Sequence, residues 1–295
     1  MIKFNSPTQN LLIQRGQLED EKSRNFIRKA LGLSNKKVEA TKHTILSGPP
    51  GLGKTFGTQD ECNKAGIEAI TIAPGISDID LVTKVAYGVY NLKKNQELVV
   101  ILDDADDVVF GDYTTLNKWK IATGDIDYDQ GIIPRLNHSV SMSNTFTRLE
   151  KEGKTELLEA LQHFQNTGEL GVSIPTDKVR FIVLCNLDLE DPKAFNRQPK
   201  IKSAIGPVFE RFEYMRINLS WEHQWGWLAY VLGGTQPFKD YPLSVAQKKE
   251  LLGWMYSNWN NLRSTSYRQV RKLAADMINE PGSYIDSWNL QLKGH

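Results

Sequence analysis

Apolar positions in this chain follow two rhythms. Thr44-Ile45-Leu46-Ser47, Ala69-Ile70-Thr71-Ile72, Leu98 to Leu102 and Phe181-Ile182-Val183-Leu184 are short apolar runs bounded by polar or turn residues. Such runs predict strands, and an unbroken one such as Leu98 to Leu102 predicts a strand covered on both faces. Tyr214 to Ile217 predicts one more short strand. Phe56 to Ala65, Ile79 to Tyr90, Thr114 to Ile121 and Thr155 to Phe164 read as helices between the strands, and Glu19 to Leu31 as a helix ahead of them. Lys193 to Phe209 reads as partly helical, broken near Pro199 and Pro207. Strands alternating with helices predict an α/β domain with a mostly parallel sheet and helices on both faces.

After Ser220 the strand rhythm stops. His223 to Val231, Ala246 to Trp259 and Tyr267 to Ile278 predict a small all-α domain. Residues 124–150 have no period and carry Gly131, Pro134 and the acidic Asp125, Asp127 and Asp129. They read as a long insertion with room for a hairpin. The expected organisation is therefore a basic N-terminal segment over 1–43, an α/β domain over 44–219 with the insertion at about 124–150, and a helical domain over 220–295.

Composition sharpens this division. With 40% hydrophobic and 24% charged residues the 295-residue chain can bury a core. The net charge of +1 argues against a surface that binds nucleic acid over its whole extent, but not against a local basic patch. Charge is uneven: residues 1–47 carry nine Lys/Arg against four Asp/Glu, while residues 48–219 are net acidic. Six of the seven Trp fall after residue 220, which marks the last quarter as a different surface. Cys62 and Cys185 have neither metal-ligand nor disulfide-framework spacing and read as reduced core residues. No run approaches the roughly 18 apolar residues of a membrane span, and Met1 to Asn5 lacks an apolar signal core, so the expected location is cytoplasmic, away from membranes.

Two motifs carry chemistry. Gly48-Pro49-Pro50-Gly51-Leu52-Gly53-Lys54-Thr55 fits G-x-x-x-x-G-K-[ST] completely, with a predicted strand before it and a helix after it. Its glycines let the backbone curl so that successive N–H groups face phosphates, and the helix adds its positive end. Lys54 is expected on the β- and γ-phosphates, the Thr55 hydroxyl on Mg²⁺, and Phe56 beside the bound nucleotide. The second motif ends the strand Leu98 to Leu102 with Asp103 and Asp104. Asp103 is the candidate Mg²⁺ residue and Asp104 the candidate polariser of an attacking water.

With Leu-Asp-Asp-Ala-Asp at 102–106 and Leu-Cys-Asn at 184–186, residues 40–280 resemble the AAA+ ATPases. The resemblance implies a P-loop NTPase core of three layers with a parallel sheet, then a small helical lid, working as a ring, most often a hexamer, with ATP and Mg²⁺ held between subunits. It further implies that Asn186 is a first sensor of the γ-phosphate or the water. Arg211 would be a finger reaching a neighbouring subunit's nucleotide, with Arg216 as its rival, and Arg268 a second sensor in the lid, with Arg271 one helical turn away. Asp104 stands where the family more often has Glu, and Ala73-Pro74-Gly75-Ile76-Ser77 lacks the aromatic that unfoldases of the family carry after the second strand. Asp112-Tyr113-Thr114-Thr115-Leu116-Asn117 is similar to ATPases of large tailed phages, which would place the chain in a host cytoplasm.

The first functional expectation is an ATPase that remodels a protein partner or adaptor, with Ile132, Ile133, Leu136 and His138 as exposed contacts on the insertion. The second is a nucleic-acid motor or clamp-loader-like ATPase, resting on Arg135, Arg148, Lys151, Lys154 and the basic N-terminus. The third is a nucleotide-gated scaffold in which Asp104 hydrolyses slowly.

Overall fold

The computed structural model describes residues 2–33, 42–104, 106–165, 171–191, 205–234 and 241–294. The part of the predicted partial helix that precedes Ile205, residues 193–204, lies outside them. The described chain divides into two compact units. One comprises Ile27–Gly48 and Thr58–Arg216. The other comprises the chain up to Phe26, Pro49–Gly57, and the chain from Ile217 onward.

The first unit is α/β. Its strands are β1 (His43–Ser47), β2 (Ala69–Ile72), β3 (Leu98–Asp103), β4 (Arg135–His138), β5 (Val172–Pro175), β6 (Val179–Cys185) and β7 (Phe212–Arg216). Five of them form one parallel sheet in the order β2-β3-β6-β1-β7. Every residue of β1 and β6, and all of β3 but Asp103, is buried. That is why these segments read as unbroken apolar runs: with both faces covered, alternation has nothing to mark.

Among the described residues the α-helices are α1 (Pro7–Ala30), α2 (Lys54–Ala65), α3 (Asp78–Tyr90), α4 (Asp106–Phe110), α5 (Tyr113–Ala122), α6 (Ser143–Lys151), α7 (Thr155–His163), α8 (Gly206–Phe209), α9 (Trp221–Gly234), α10 (Val245–Asn258), α11 (Tyr267–Asn279) and α12 (Tyr284–Asn289). Local chemistry sets several starts. Ser77 caps α3 by accepting from Asp80 N, and two aspartates in its first turn complement the helix dipole. Asp112 caps α5 through Thr115 N at 2.7 Å. Ser244 and Gln247 form a reciprocal capping box on α10.

The insertion is ordered by a strand that the sequence reading omits. β5 pairs antiparallel with β4, from Arg135 opposite Pro175 to His138 opposite Val172. Leu136 and Ile174 point into the core and are fully buried. Leu136 is therefore not an exposed contact, as the sequence reading expected: the pleat turns it inward, while Arg135 and Asn137 face out. Ile132 is exposed, and His138 Nδ1 lies 2.7 Å from Asp78 Oδ2 at the start of α3.

In the second unit α1 packs with the C-terminal helices. Gly16 and Gly226 meet at a crossing of α1 and α9, where a Cβ on Gly226 would come within 2.0 Å of the Leu12 carbonyl oxygen. Only glycines allow that approach. Trp225 and Trp288 are fully buried, each indole N–H donating at 3.0 Å to a backbone carbonyl, of Leu252 and Leu273 respectively. The first 26 residues thus group with the C-terminal helices, whereas the sequence reading holds 1–43 as a segment of its own. Both cysteines are free and buried. Among the described residues no helix is long and apolar enough to cross a membrane.

His43, at the head of β1, is buried between Phe181 and Phe212, and its Nδ1 accepts from Phe181 N at 3.3 Å. Burial, with help from Lys42 and Arg180 nearby, lowers its pKa from 6.5 to about 3. Between these values the unfolded chain takes up a proton that the folded chain refuses, so stability falls as pH drops from about 6.5 toward about 3. Urea unfolding followed against pH should show this loss, and His43→Asn, which keeps an acceptor for Phe181 N, should flatten it. Parallel curves for the two proteins would contradict the assignment.

Candidate functional site

The candidate site is built on the carboxyl ends of the parallel strands, where open α/β sheets hold ligands. Because β6 lies between β1 and β3, the register brings three chain ends side by side. Ser47 is level with Cys185, and Asp103 with Leu184. Gly48 N donates to Cys185 O at 3.2 Å, so β1 stays tied to β6 up to the residue where the chain leaves the sheet.

In this α/β unit the acidic strand end is held by β6. Asn186, the residue after β6, donates from Nδ2 to Asp104 Oδ1 at 2.9 Å and from its backbone N to Asp106 Oδ1 at 3.2 Å. Asp104 has φ 46°, in the left-handed region that few residues other than glycine, asparagine and aspartate enter. Asp103 ends β3, half-buried. The structure thus brings together Asp104 and Asn186, which the sequence reading assigned separately.

The two rival arginines sit at opposite ends of one strand. Phe212 is level with His43 at the amino end of β1, and Arg216 with Ser47 at its carboxyl end. Arg211 therefore stands at the amino-terminal edge of the sheet, about 15 Å along the strand from Arg216. It donates to Pro207 O at 2.5 Å and shares a cleft with Lys42, Asp177 and Glu210. Arg216 stands at the carboxyl edge and is paired with Asp188. An arginine at the amino edge is remote from the strand ends that carry Asp104 and Asn186 on the same chain.

Of the candidate phosphate loop Gly48 to Thr55, all but Gly48 groups with the helical unit, in the segment Pro49–Gly57. Gly51 and Gly53 have φ of 81° and 74°. The loop carries its neighbours closely: Tyr267 N donates to Gly51 O at 3.2 Å, and a Cβ on Gly51 would lie 2.3 Å from that of Ser266, the N-cap of α11. A Cβ on Gly53 would meet the Trp227 ring at 3.1 Å. Lys54 opens α2, is 7% exposed, and donates from Nζ to Pro49 O at 3.1 Å, so the ammonium is curled back over its own loop. Thr55 follows, half-buried. Arg268 is exposed, next in sequence to the residue that bonds the loop. Arg271 instead donates to Tyr241 Oη at 3.2 Å and lies over its ring.

A pocket beside the loop is lined by Asp20, Arg24, Phe56, Trp227, Val231 and Tyr267. Asp20 accepts from the Trp227 indole at 3.1 Å and from Arg24 Nε at 2.7 Å. The sequence reading placed Asp20 and Arg24 on a helix, Glu19 to Leu31, but gave neither a role beside the loop.

Among the described residues no group of three or more His, Cys, Asp or Glu side chains converges as a metal cage. The chain's expected Mg²⁺ ligands, one hydroxyl at Thr55 and one carboxylate at Asp103, are hard oxygen donors, few in number. That donor set fits a magnesium ion that takes the rest of its shell from phosphates and water. No family model and no curated protein matches this chain.

Gly53 gives a direct test of the loop. Gly53→Ala imposes both a left-handed strain of about 1–2 kcal/mol and a contact with Trp227. Calorimetry with ATP should show affinity reduced about tenfold or more, since 1.4 kcal/mol is a factor of ten. Gly66→Ala carries the same kind of strain in open space, φ 66° with nothing within 4 Å, and should leave the affinity unchanged. Equal losses in both would contradict the loop assignment.

Proposed function

We propose that the chain is a Mg²⁺-dependent ATPase of the AAA+ type, assembled as a ring and acting on a protein partner. The observation that carries this reading is the complete phosphate-loop sequence with glycines at left-handed angles, the lysine opening a helix, and the preceding strand inside a parallel sheet between β6 and β7.

Each residue then has a defined task. The loop N–H groups and the α2 dipole bind phosphate oxygens. Lys54 directs its ammonium to the β- and γ-phosphates, where the hydrogen bonds are charge-assisted. Thr55 and Asp103 would hold Mg²⁺, which neutralises phosphate charge when bound. Asp104 polarises the attacking water, and Asn186 holds the carboxylate. Arg268, at the start of α11, touches the nucleotide from the lid. Arg211, at the far edge of the sheet, stabilises transition-state charge on the nucleotide of the next subunit. That division makes the ring a requirement for hydrolysis.

A protein partner has more support than nucleic acid. Of the insertion's basic residues in the nucleic-acid reading, two are ion-paired: Arg148 with Asp80 at 2.9 Å and Lys154 with Glu152 at 2.6 Å. Charge compensated in this way contributes less to counterion release.

Phosphate release from Mg-ATP tests the assignment. Lys54→Ala should abolish both binding and hydrolysis. Arg211→Ala should bind ATP nearly as well as the parent while hydrolysis falls roughly a thousandfold, the low end for a lost arginine finger. Mixing the two variants should recover part of the rate, because some interfaces then join an intact loop to an intact Arg211. A binding defect as large as the rate defect, or no recovery on mixing, would contradict action across subunits. Stimulation by DNA that weakens steeply with salt would contradict the choice of a protein partner.

A further inference from the structure

Asp104 presents a problem that its own backbone resolves. An aspartate carries its carboxylate one methylene nearer the backbone than the glutamate that the resemblance to AAA+ ATPases puts at this position. Residues that continue a strand also alternate faces, and an extended Asp104 would point away from the side of Asp103. In the structure the chain does not continue extended. It turns at Asp104 into the left-handed region, φ 46°, immediately after β3 ends. The Cα–Cβ bond is thereby re-aimed, and Oδ1 comes to 2.9 Å from Asn186 Nδ2, at the end of the neighbouring strand. Asn186 in turn is held by its backbone N–H to Asp106 Oδ1. Apart from glycines, Asn95 is the other described residue with positive φ, and it lies in the turn before β3, away from the strand ends that carry chemistry.

We propose that the left-handed backbone at Asp104 replaces the missing methylene, and that Asn186 is the positioning residue that fixes the aimed carboxylate, so that the two work as one unit matched to aspartate. The proposal rests on the ATPase reading above and adds to it a rule of length: at this position aspartate is the acid that fits and glutamate does not. Asparagine and aspartate tolerate left-handed angles better than glutamate, and a longer side chain would overshoot Asn186 from the same Cα. The slow-hydrolysing scaffold loses its main motive, because the short acid is part of a fitted geometry.

Hydrolysis and ATP affinity, measured separately on the full chain, test this. Wild type is assayed first, with Lys54→Ala as the blank. Asp104→Glu is expected to keep the wild-type Kd for ATP and lose about tenfold or more in kcat. Asp104→Ala and Asn186→Ala should each lower kcat, by about 100-fold for the acid, the low end for general acid–base catalysis, and the double variant should be no slower than Asp104→Ala alone, as for residues that act together. Asp104→Glu hydrolysing as fast as wild type, or a double variant whose loss is the product of the single losses, would overturn the proposal while leaving the ATPase reading intact. Wild type no faster than the Lys54→Ala blank would overturn both. Circular dichroism of each variant, with its ATP Kd, separates misfolding from a loss confined to kcat. An unfolded Asp104→Glu is replaced by Asp104→Gln set against Asp104→Asn: Asn should retain ATP affinity and fold stability, and Gln should be less stable. Equal stability of the two would then count against the fitted backbone.

Discussion

The arrangement depends on β1 being hydrogen-bonded on both sides and buried along its whole length. A strand paired to β6 and β7 at once has no freedom of register, since a slip by one residue would turn every side chain to the opposite face. Its end is therefore fixed in space, and with it the point at which the chain leaves the sheet as the phosphate loop. The same ladders fix the ends of β3 and β6, so the acidic residues and Asn186 are presented at the sheet's carboxyl edge by backbone hydrogen bonds alone. The same register places Arg211 at the other edge of the sheet.

Charge is handled locally rather than by overall balance. Lys54 is nearly buried and donates to a carbonyl of its own loop. Elsewhere buried charge is paired: Arg180 with Glu97 at 2.5 Å, and Arg28 with Glu61 at 2.6 Å. The near-neutral total therefore says little about partners, because charge is distributed and paired locally.

The central strands and the phosphate loop were legible in the sequence because each has a local cause: unbroken apolar runs for β1, β3 and β6, and glycines spaced for a curl before Lys54. What was not legible depends on distant partners. β5 is four residues whose inward Ile174 has meaning only opposite Leu136, so periodicity gave no sign of it. The first half of α1 has its apolar residues bunched at Leu11, Leu12 and Ile13, and its burial against α9 requires Gly226, more than 200 positions away. Asp104 was legible as an acid but not as a left-handed residue, because aspartate enters that region only when its surroundings hold it there. The pairing of Asp104 with Asn186 likewise follows from the β3–β6 register, which no local pattern encodes.

The central claim is that Pro49 to Thr55 binds the phosphates of a nucleotide and that this, more than any other contact, gives it affinity. Thermal unfolding with ATP, with tripolyphosphate and with adenosine, each with Mg²⁺, tests it most directly. A ligand present at a hundred times its Kd stabilises the folded state by about 2.7 kcal/mol. ATP and tripolyphosphate are both expected to raise Tm, with Lys54→Ala losing both shifts, while adenosine at the same concentration leaves Tm where it was. A shift with adenosine equal to that with ATP, and none with tripolyphosphate, would contradict the claim.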